Sequence, residues 1–556
     1  MNFINTTLNK YGSMSIFKLA LLLLAIQISS CKKNILETKP LDKFSDKTVW
    51  QDPSLMEAYI NSTYRVLPHG FQFGSRRLFC LSDESKARGS ASYSTINAGN
   101  ITPSTLGPLD YWVGTSGDPG YYKCITQCNV FLANADQADF DVALKNRMIG
   151  EVKALRAFSY FRLISFFGGV PLITEPFTLE DNFDVPRSSY DDCMSFVIRE
   201  LDEAIGLLPL DYDAKNQGRI TKGAAMAIKS RALLYAASPL NNPSNDLGKW
   251  QKAADAAKAV IDLNKYQLYP DYKGMFQEAH NYNSEMIWVR PFNHIVDPIT
   301  TGIELRLYPN GFNGFGQIEP LQNLVDQYET LNGKLPADDP TYNSQNPYVN
   351  RDPRFYATIL YDGAPFKDRT IETFLPGGKD SKEGPVTPFN ASESGYYLRK
   401  YIDESITNPN YTNASDPTWP FIRYAEVLLN YAEAEYYLGH EDVCREYINM
   451  VRSRPSVNMP PVTESGDALL KRLQNERFIE LAFEAHRYFD VRRWKIAPVV
   501  LNVPAKGISI HKDANGNKTY SVFTIEQRHF SDKNYLVPIP QSEIDKDAKL
   551  EQNPGY

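Results

Sequence analysis

Aromatic rings and planar polar side chains crowd into two stretches of this sequence. The first holds Arg88, Tyr93, Asn97, Tyr111 and Trp112; the second holds Phe292, Asn293, Asn310, Phe312, Asn313, Phe315 and Gln317. A ring can lie against the C–H face of a sugar, and Arg, Asn or Gln can serve its hydroxyls. On open loops these residues would make a shallow carbohydrate site. The candidate ligand residues are therefore Trp112, Tyr111, Tyr93, Arg88, Asn97, Phe292, Asn293, Phe312 and Phe315. Trp112 leads them, because its context, Tyr111-Trp112-Val113-Gly114-Thr115, is poorly suited to burial in a helix. The competing expectation is that the rings fill the core, as most aromatic side chains do. The chain has ample material for both, with 34 Tyr, 29 Phe and 6 Trp.

Covalent chemistry finds less support. The sequence has no G-x-S-x-G elbow, no H-E-x-x-H pair and no G-x-x-x-x-G-K-[ST] loop. Gly311-Phe312-Asn313-Gly314-Phe315-Gly316 is rich in glycine but lacks dinucleotide spacing. Adjacent acids such as Asp83-Glu84 and Asp338-Asp339 match the residue types of a glycosidase, yet adjacent loop carboxylates are normally solvated. Asp83, Glu84 and Asp118 would suit a loop-bound Ca²⁺, but no metal site has recognisable spacing. The expectation is a non-enzymatic protein without a cofactor. A net charge of −7 gives no reason to expect nucleic acid as a partner.

The N-terminus bears on the compartment. Lys10 and Lys18 precede an apolar run from Leu19 to Ile28, broken only by Gln27 and too short to span a bilayer. Starting at Met14 would leave a shorter, more usual charged region. The run ends in Ile28-Ser29-Ser30-Cys31, which resembles a bacterial lipobox. Cleavage before Cys31 would leave a cysteine carrying several acyl chains, and two or more chains anchor stably where one is marginal. Cys31 is the expected lipidation site, followed by Lys32 and Lys33. Of six cysteines, five then remain, an odd number that does not form a disulfide framework. Cys124 and Cys128 share one helix face and are expected to be buried thiols.

The elements that would position the rings are mainly helices. Apolar periodicity predicts helices over Trp50–Tyr64, Met148–Phe167 (apolar on most sides), a segment capped by Ser188 and ended by Pro209, Thr221–Ala237, and a segment around Trp250–Ile261. Ile422–Leu438 and Val443–Val451 flank Gly439 as an αα-hairpin, and Leu469–Phe489 reads as one long helix. Between Tyr266 and Trp419, Pro, Gly, Asn and Asp thin the helices out, leaving short strands at Glu285–Val289 and Tyr396–Tyr401. Phe71–Tyr121 is similarly loop-like. Helix pairs with small contact residues suggest degenerate tetratricopeptide-like stacking. The expected layout is a leader (1–30), a lipidated tether (31–40), a helical region (41–265) and a second region (266–556) with an irregular excursion at about 266–419.

Several blocks together resemble the SusD/RagB family. They are Pro40-Leu41-Asp42 on to Tyr64-Arg65, Leu155-Arg156-Ala157 with Phe167-Gly168-Gly169-Val170-Pro171-Leu172, and Gly218-Arg219-Ile220-Thr221. Further on come Arg423-Tyr424-Ala425-Glu426, Glu476-Arg477 through Glu484, Arg487-Tyr488-Phe489-Asp490, Pro538-Ile539-Pro540 and Asn553-Pro554-Gly555-Tyr556. The resemblance covers nearly the whole mature chain. It implies a mostly α SusD-like fold and partnership with a SusC-like TonB-dependent outer-membrane transporter. It also implies glycan capture at the outer membrane, with the lipid-anchored protein facing the medium. An oligopeptide ligand, or an adaptor role with only protein partners, remains open. Arg156, Arg477 and Arg487, with Glu480, Glu484 and Asp490, read as structural ion pairs, since arginine can bury its stem while its fork is paired.

Overall fold

The computed structural model describes residues 49–556, apart from 74, 116, 179 and 297–301. The leader, Cys31 and the tether lie outside the described residues. Glu57–Tyr556 forms one compact unit, which the description below concerns.

The fold is mostly α. The longer helices are α1 (Pro53–Arg65), α2 (Ala91–Asn97), α3 (Tyr121–Asn134), α4 (Val142–Phe167), α5 (Tyr190–Leu207), α6 (Lys222–Ala237) and α7 (Leu247–Ile261). After a long excursion come α8 (Tyr424–Tyr437), α9 (Glu441–Arg452), α10 (Gly466–Glu480) and α11 (Arg487–Arg493). Each helix from α3 to α7 packs against the next, and α8 docks on both α7 and α9. The stack left at α7 thus resumes at α8. Small residues allow the close approach. Ala253 and Ala254 of α7, Ala237 of α6 and Ala434 of α8 form one buried cluster around Trp250. The Trp250 ring stacks on Tyr437 at 4.0 Å.

Local signals explain most helix ends. Asp141 caps α4 by accepting from Leu144 N, and α4 stops at Gly168, whose φ is +74°. The cap of α5 is Ser189, one residue beyond the expected Ser188; its side chain accepts from Asp192 N. Thr221 caps α6 and Asp246 caps α7. Gly439, at φ +87°, turns α8 into α9 as expected. Ile422, expected inside a helix, instead lies in the strand Trp419–Arg423, which pairs antiparallel with Met286–Arg290. The strand expected at Tyr396–Tyr401 is only Tyr397–Leu398, paired with Ile359–Leu360. A hairpin of Ala505–Lys512 and Lys518–Glu526, absent from the expectation, turns at Gly516. The five described cysteines are free and buried; Cys124 Sγ and Cys128 Sγ lie 4.0 Å apart.

The long helix expected over Leu469–Phe489 is two helices. The chain breaks after Glu480, and Phe483 and Ala485 both take φ +62°. Burial of a broken helix end requires new partners for its backbone. The Phe483 N–H donates to Glu84 at 2.8 Å, and the Glu480 carbonyl accepts from Arg423 at 2.6 Å.

That break sits in a buried lattice of charge. Glu480 accepts from Arg423 (2.7 Å), Arg454 (2.8 Å) and Arg354 (2.9 Å). Glu476 joins Arg354 and Arg452, Glu285 joins Arg423 and Arg454, and Glu484 joins Arg423 and Lys400. Asp352 pairs with Arg354, and Glu329 with Arg452 and Arg472. All three arginines expected in ion pairs are paired, Arg477 with a nearby acid as expected and Arg487 with a distant one instead. Arg156 joins Glu200, Arg477 joins Asp490, and Arg487 grips both oxygens of Asp83. Burial alone would raise the Glu480 carboxyl, but the guanidiniums of Arg454, Arg423 and Arg354 override it and hold it far below the ordinary range. Lys400 behaves oppositely; burial outweighs Glu484 and pushes its ammonium down to about 8.

Two outcomes follow. Glu480→Gln leaves three buried guanidiniums short of a carboxylate and should cost about 3–5 kcal/mol by denaturation. The exposed Lys258–Asp262 pair is the control; Lys258→Ala should change stability by less than about 0.5 kcal/mol. The second concerns Glu84, whose carboxyl is pushed up to about 8 by burial. A carboxyl raised on folding stabilises fully below its unfolded value and loses that contribution as pH rises through the folded one. The stability gap between wild type and Glu84→Gln should therefore shift against wild type from about pH 4.5 to about 8 in thermal melts. A gap that stays flat with pH would refute this.

Candidate ring-bearing face

Two irregular excursions meet in a short antiparallel ladder. Ser85, Lys86 and Ala87 pair with Pro320, Glu319 and Ile318. The ladder brings the end of the first candidate stretch beside the second, far away in sequence. Arg88 ties the junction. Its Nε donates to the Phe315 carbonyl at 2.8 Å, Nη1 to the Phe389 carbonyl at 2.6 Å and Nη2 to Asn390 Oδ1 at 2.8 Å. One guanidinium thus holds two ring-bearing turns at once, a task for its planar fork.

From this junction a face extends outward. Phe389 is 76% exposed, and Phe312 and Phe315 are half-buried. The Phe312 ring carries the Arg369 guanidinium at 3.9 Å on one side and meets Phe366 edge-on. Arg369 is fixed by two bonds to Asp380, at 2.6 and 2.8 Å. In the other direction, Arg306 donates to Gln317 Oε1 and lies 5.5 Å from the centroid of Tyr411, which is 39% exposed. Burial lowers Arg306, though it stays cationic. Rings, guanidiniums and a carboxamide therefore neighbour one another along these turns, with Arg306 itself buried.

Six of the nine candidate residues lie away from this face. Trp112 is buried; its ring meets Phe167 edge-on at 5.1 Å and Tyr122 at the same distance. The open platform expected of Trp112 is corrected accordingly, since aromatic side chains of α3 and α4 cover it. Tyr111 is buried too, stacked on Phe166 at 4.4 Å and on Tyr121 at 5.8 Å, with Arg76 above it at 4.5 Å. Tyr93 is buried; its hydroxyl accepts from Arg77 N and donates to the Ser75 carbonyl. Asn97 donates to the Cys80 carbonyl and to Glu526. Phe292 packs among His69, Phe71 and Arg290. Asn293 is exposed and closes its own turn by accepting from Ile295 N and Val296 N. Arg88, Phe312 and Phe315 are brought together. Phe389, Asn390, Arg306 and Tyr411 went unnamed in the sequence reading. A signal did exist at Pro388-Phe389-Asn390, a large apolar residue inside a polar turn.

The acids weighed for Ca²⁺ are engaged elsewhere. Asp83 is gripped by Arg487, Glu84 accepts from Phe483 N and Ser82, and Asp118 accepts from Gln72. Among the described residues, no group of three or more His, Cys, Asp or Glu is placed to hold a metal ion. A separate groove between α5, α6 and α7 is floored by Met194, Ile198, Met226 and Leu233, rimmed by charge and lined by no aromatic side chain. No helix among the described residues is long and apolar enough to cross a membrane.

The described residues form a stacked-helix scaffold that carries rings and fixed polar groups on tied loops. Comparison with known proteins places it more narrowly. The SusD family model matches residues 275–556, and a model described as starch-binding, associating with outer membrane matches residues 39–234. The chain belongs to the SusD family. A SusD-like protein of Bacteroides ovatus is 24% identical, over 84% of this chain and 81% of the relative. SusD-like protein P38 of Formosa agariphila is 24% identical, over 90% and 95%. Among solved structures, a SusD-like protein from Bacteroides fragilis superposes with TM-score 0.79 at 30% identity, covering 93% of this chain and all of that one. A SusD-like carbohydrate-binding protein from the same species gives 0.78 at 29% identity, with 91% of this chain and 100% of the other covered.

Arg88→Ala should loosen the junction, so limited proteolysis of the turn around Phe389 should accelerate several-fold while the melting temperature falls only modestly. Arg88→Lys should behave like the alanine variant, because one ammonium cannot span three acceptors. Equal protection in all three proteins would refute the tie.

Proposed function

We propose that this protein is a lipid-anchored, non-catalytic glycan-capturing protein of the outer membrane, working with a SusC-like TonB-dependent transporter. The observation that carries the reading is the face from Phe389 through Arg88 and Phe315 to Arg306 and Tyr411. Exposed or half-exposed rings there neighbour fixed donors, matching the two faces of a sugar. Phe389, Phe315 and Tyr411 stack on sugar rings, while Arg88, Arg306 and Gln317 orient hydroxyls. The carbohydrate-binding relative from Bacteroides fragilis and the description of the N-terminal family model support the ligand class. Lipidation at Cys31 supplies the anchor, and the protein faces the medium, where it passes ligand to the transporter.

On a glycan array the wild type should bind at least one saccharide. Phe389→Ala with Tyr411→Ala should weaken that binding about tenfold or more, equivalent to about 1.4 kcal/mol, with little change in melting temperature. Trp112→Ala should instead destabilise the fold. Binding of oligopeptides in place of glycans, or glycan binding untouched by the double variant, would overturn the assignment. Cys31→Ala should release the protein from the membrane fraction; undiminished attachment would remove the anchor.

A further inference from the structure

A second cleft lies where the end of α1 meets the turn before α6 and the strand Met286–Arg290. Its lining includes Arg65, Lys215, Arg219 and Arg290 and not one carboxylate, in a chain whose net charge is −7. Half-buried Tyr64 is the accessible ring of the cleft, while Trp288 and Phe421, stacked at 4.2 Å, line it but are themselves buried. The volume, about 320 Å³, is at the small end of ligand-sized clefts.

The cleft is built. Gly218, at φ +90°, carries the turn against Pro291, where a Cβ would sit 3.1 Å from the proline ring. Arg219 is held from behind by Glu151 at 3.0 Å and by Asn216 at 2.8 Å. Arg290 is steadied by the Leu67 carbonyl at 2.7 Å and the Arg65 carbonyl at 3.3 Å. The acids nearby are already engaged, and Glu151 neutralises Arg219 itself. Glu151 is buried and shared with Arg147 and the Tyr64 hydroxyl, and Asp213 caps its own turn by accepting from Asn216 N. Arg65 and Lys215 are exposed at the mouth, and among the described residues neither pairs with a carboxylate.

From this arrangement we infer that the cleft binds an acidic saccharide, with the sugar's C–H face against Tyr64 and its anionic group at Arg65 and Lys215. The inference rests on the glycan-capture reading and adds a charge preference at a place distinct from the Phe389–Tyr411 face. Guanidiniums suit a carboxylate through paired N–H donors, and an exposed lysine adds a point charge.

The test is titration calorimetry on the full chain with three probes: a galacturonate oligosaccharide, its neutral methyl ester, and inorganic sulfate. The acid should bind at least tenfold more tightly than the ester at low salt, and the gap should shrink when salt rises from about 0.05 to about 0.5 M. Arg65→Glu with Lys215→Glu should abolish the gap, whereas Arg65→Lys with Lys215→Arg should keep most of it. The melting temperature reports whether either pair disturbs the fold. Equal binding of acid and ester by wild type, or a gap that survives charge reversal, overturns the inference while leaving neutral glycan capture standing. Full displacement of the acid by millimolar sulfate would reduce the cleft to a general anion site and also overturn it. Failure of every saccharide, neutral or acidic, would sink both readings together.

Discussion

Glu480 is reached by three guanidiniums from three distant stretches of chain, Arg354, Arg423 and Arg454. None of the four has appreciable contact with water. Burying ions is costly unless each is fully paired, so this arrangement tolerates only one relative placement of α9, α10, the strand Trp419–Arg423 and the segment around Arg354. Neighbouring pairs through Glu285, Glu329, Glu476 and Glu484 extend the constraint. The break after Glu480 belongs to the same solution, because unwinding frees its carbonyl for Arg423 and the Phe483 N–H for Glu84.

The ring-bearing face depends on that frame at one remove. Glu84 accepts from the break, and the next residues, Ser85 to Ala87, form the ladder to Ile318–Pro320. The turn bearing Phe315 is therefore registered against the helix-break region through one short strand. Arg88, next in the chain, locks the Phe315 and Phe389 turns together. Loops built this way can vary in their exposed side chains while their backbones stay fixed.

The scaffold was largely legible from the sequence. Periodicity, caps and small residues located α4 to α9, and Arg477 and Arg487 with Glu480, Glu484 and Asp490 marked part of the charge frame. Its partners were not legible, because Arg487 pairs with Asp83 and Arg423 with Glu285 across long separations that no local pattern encodes. The break at Phe483 was missed for the same reason; an unbroken apolar rhythm predicts a helix, and only tertiary partners for the freed backbone favour two left-handed residues. The candidate face was half legible. Composition singled out Arg88, Phe312 and Phe315 but could not separate them from Tyr111 and Trp112. A ring in a glycine-rich loop looks open until the helix that covers it is known, and here Phe166 and Phe167 cover both.

The docking of α8 on α7 has a consequence for biogenesis. Ala253, Ala254 and Trp250 await Ala434 and Tyr437, which are made only after the whole intervening excursion has been synthesised. Until then the growing chain presents an unfinished apolar seam at the end of its first helical stack. A nascent form of this protein should therefore lean on holding chaperones, and a truncation before α8 should be prone to aggregate through that seam.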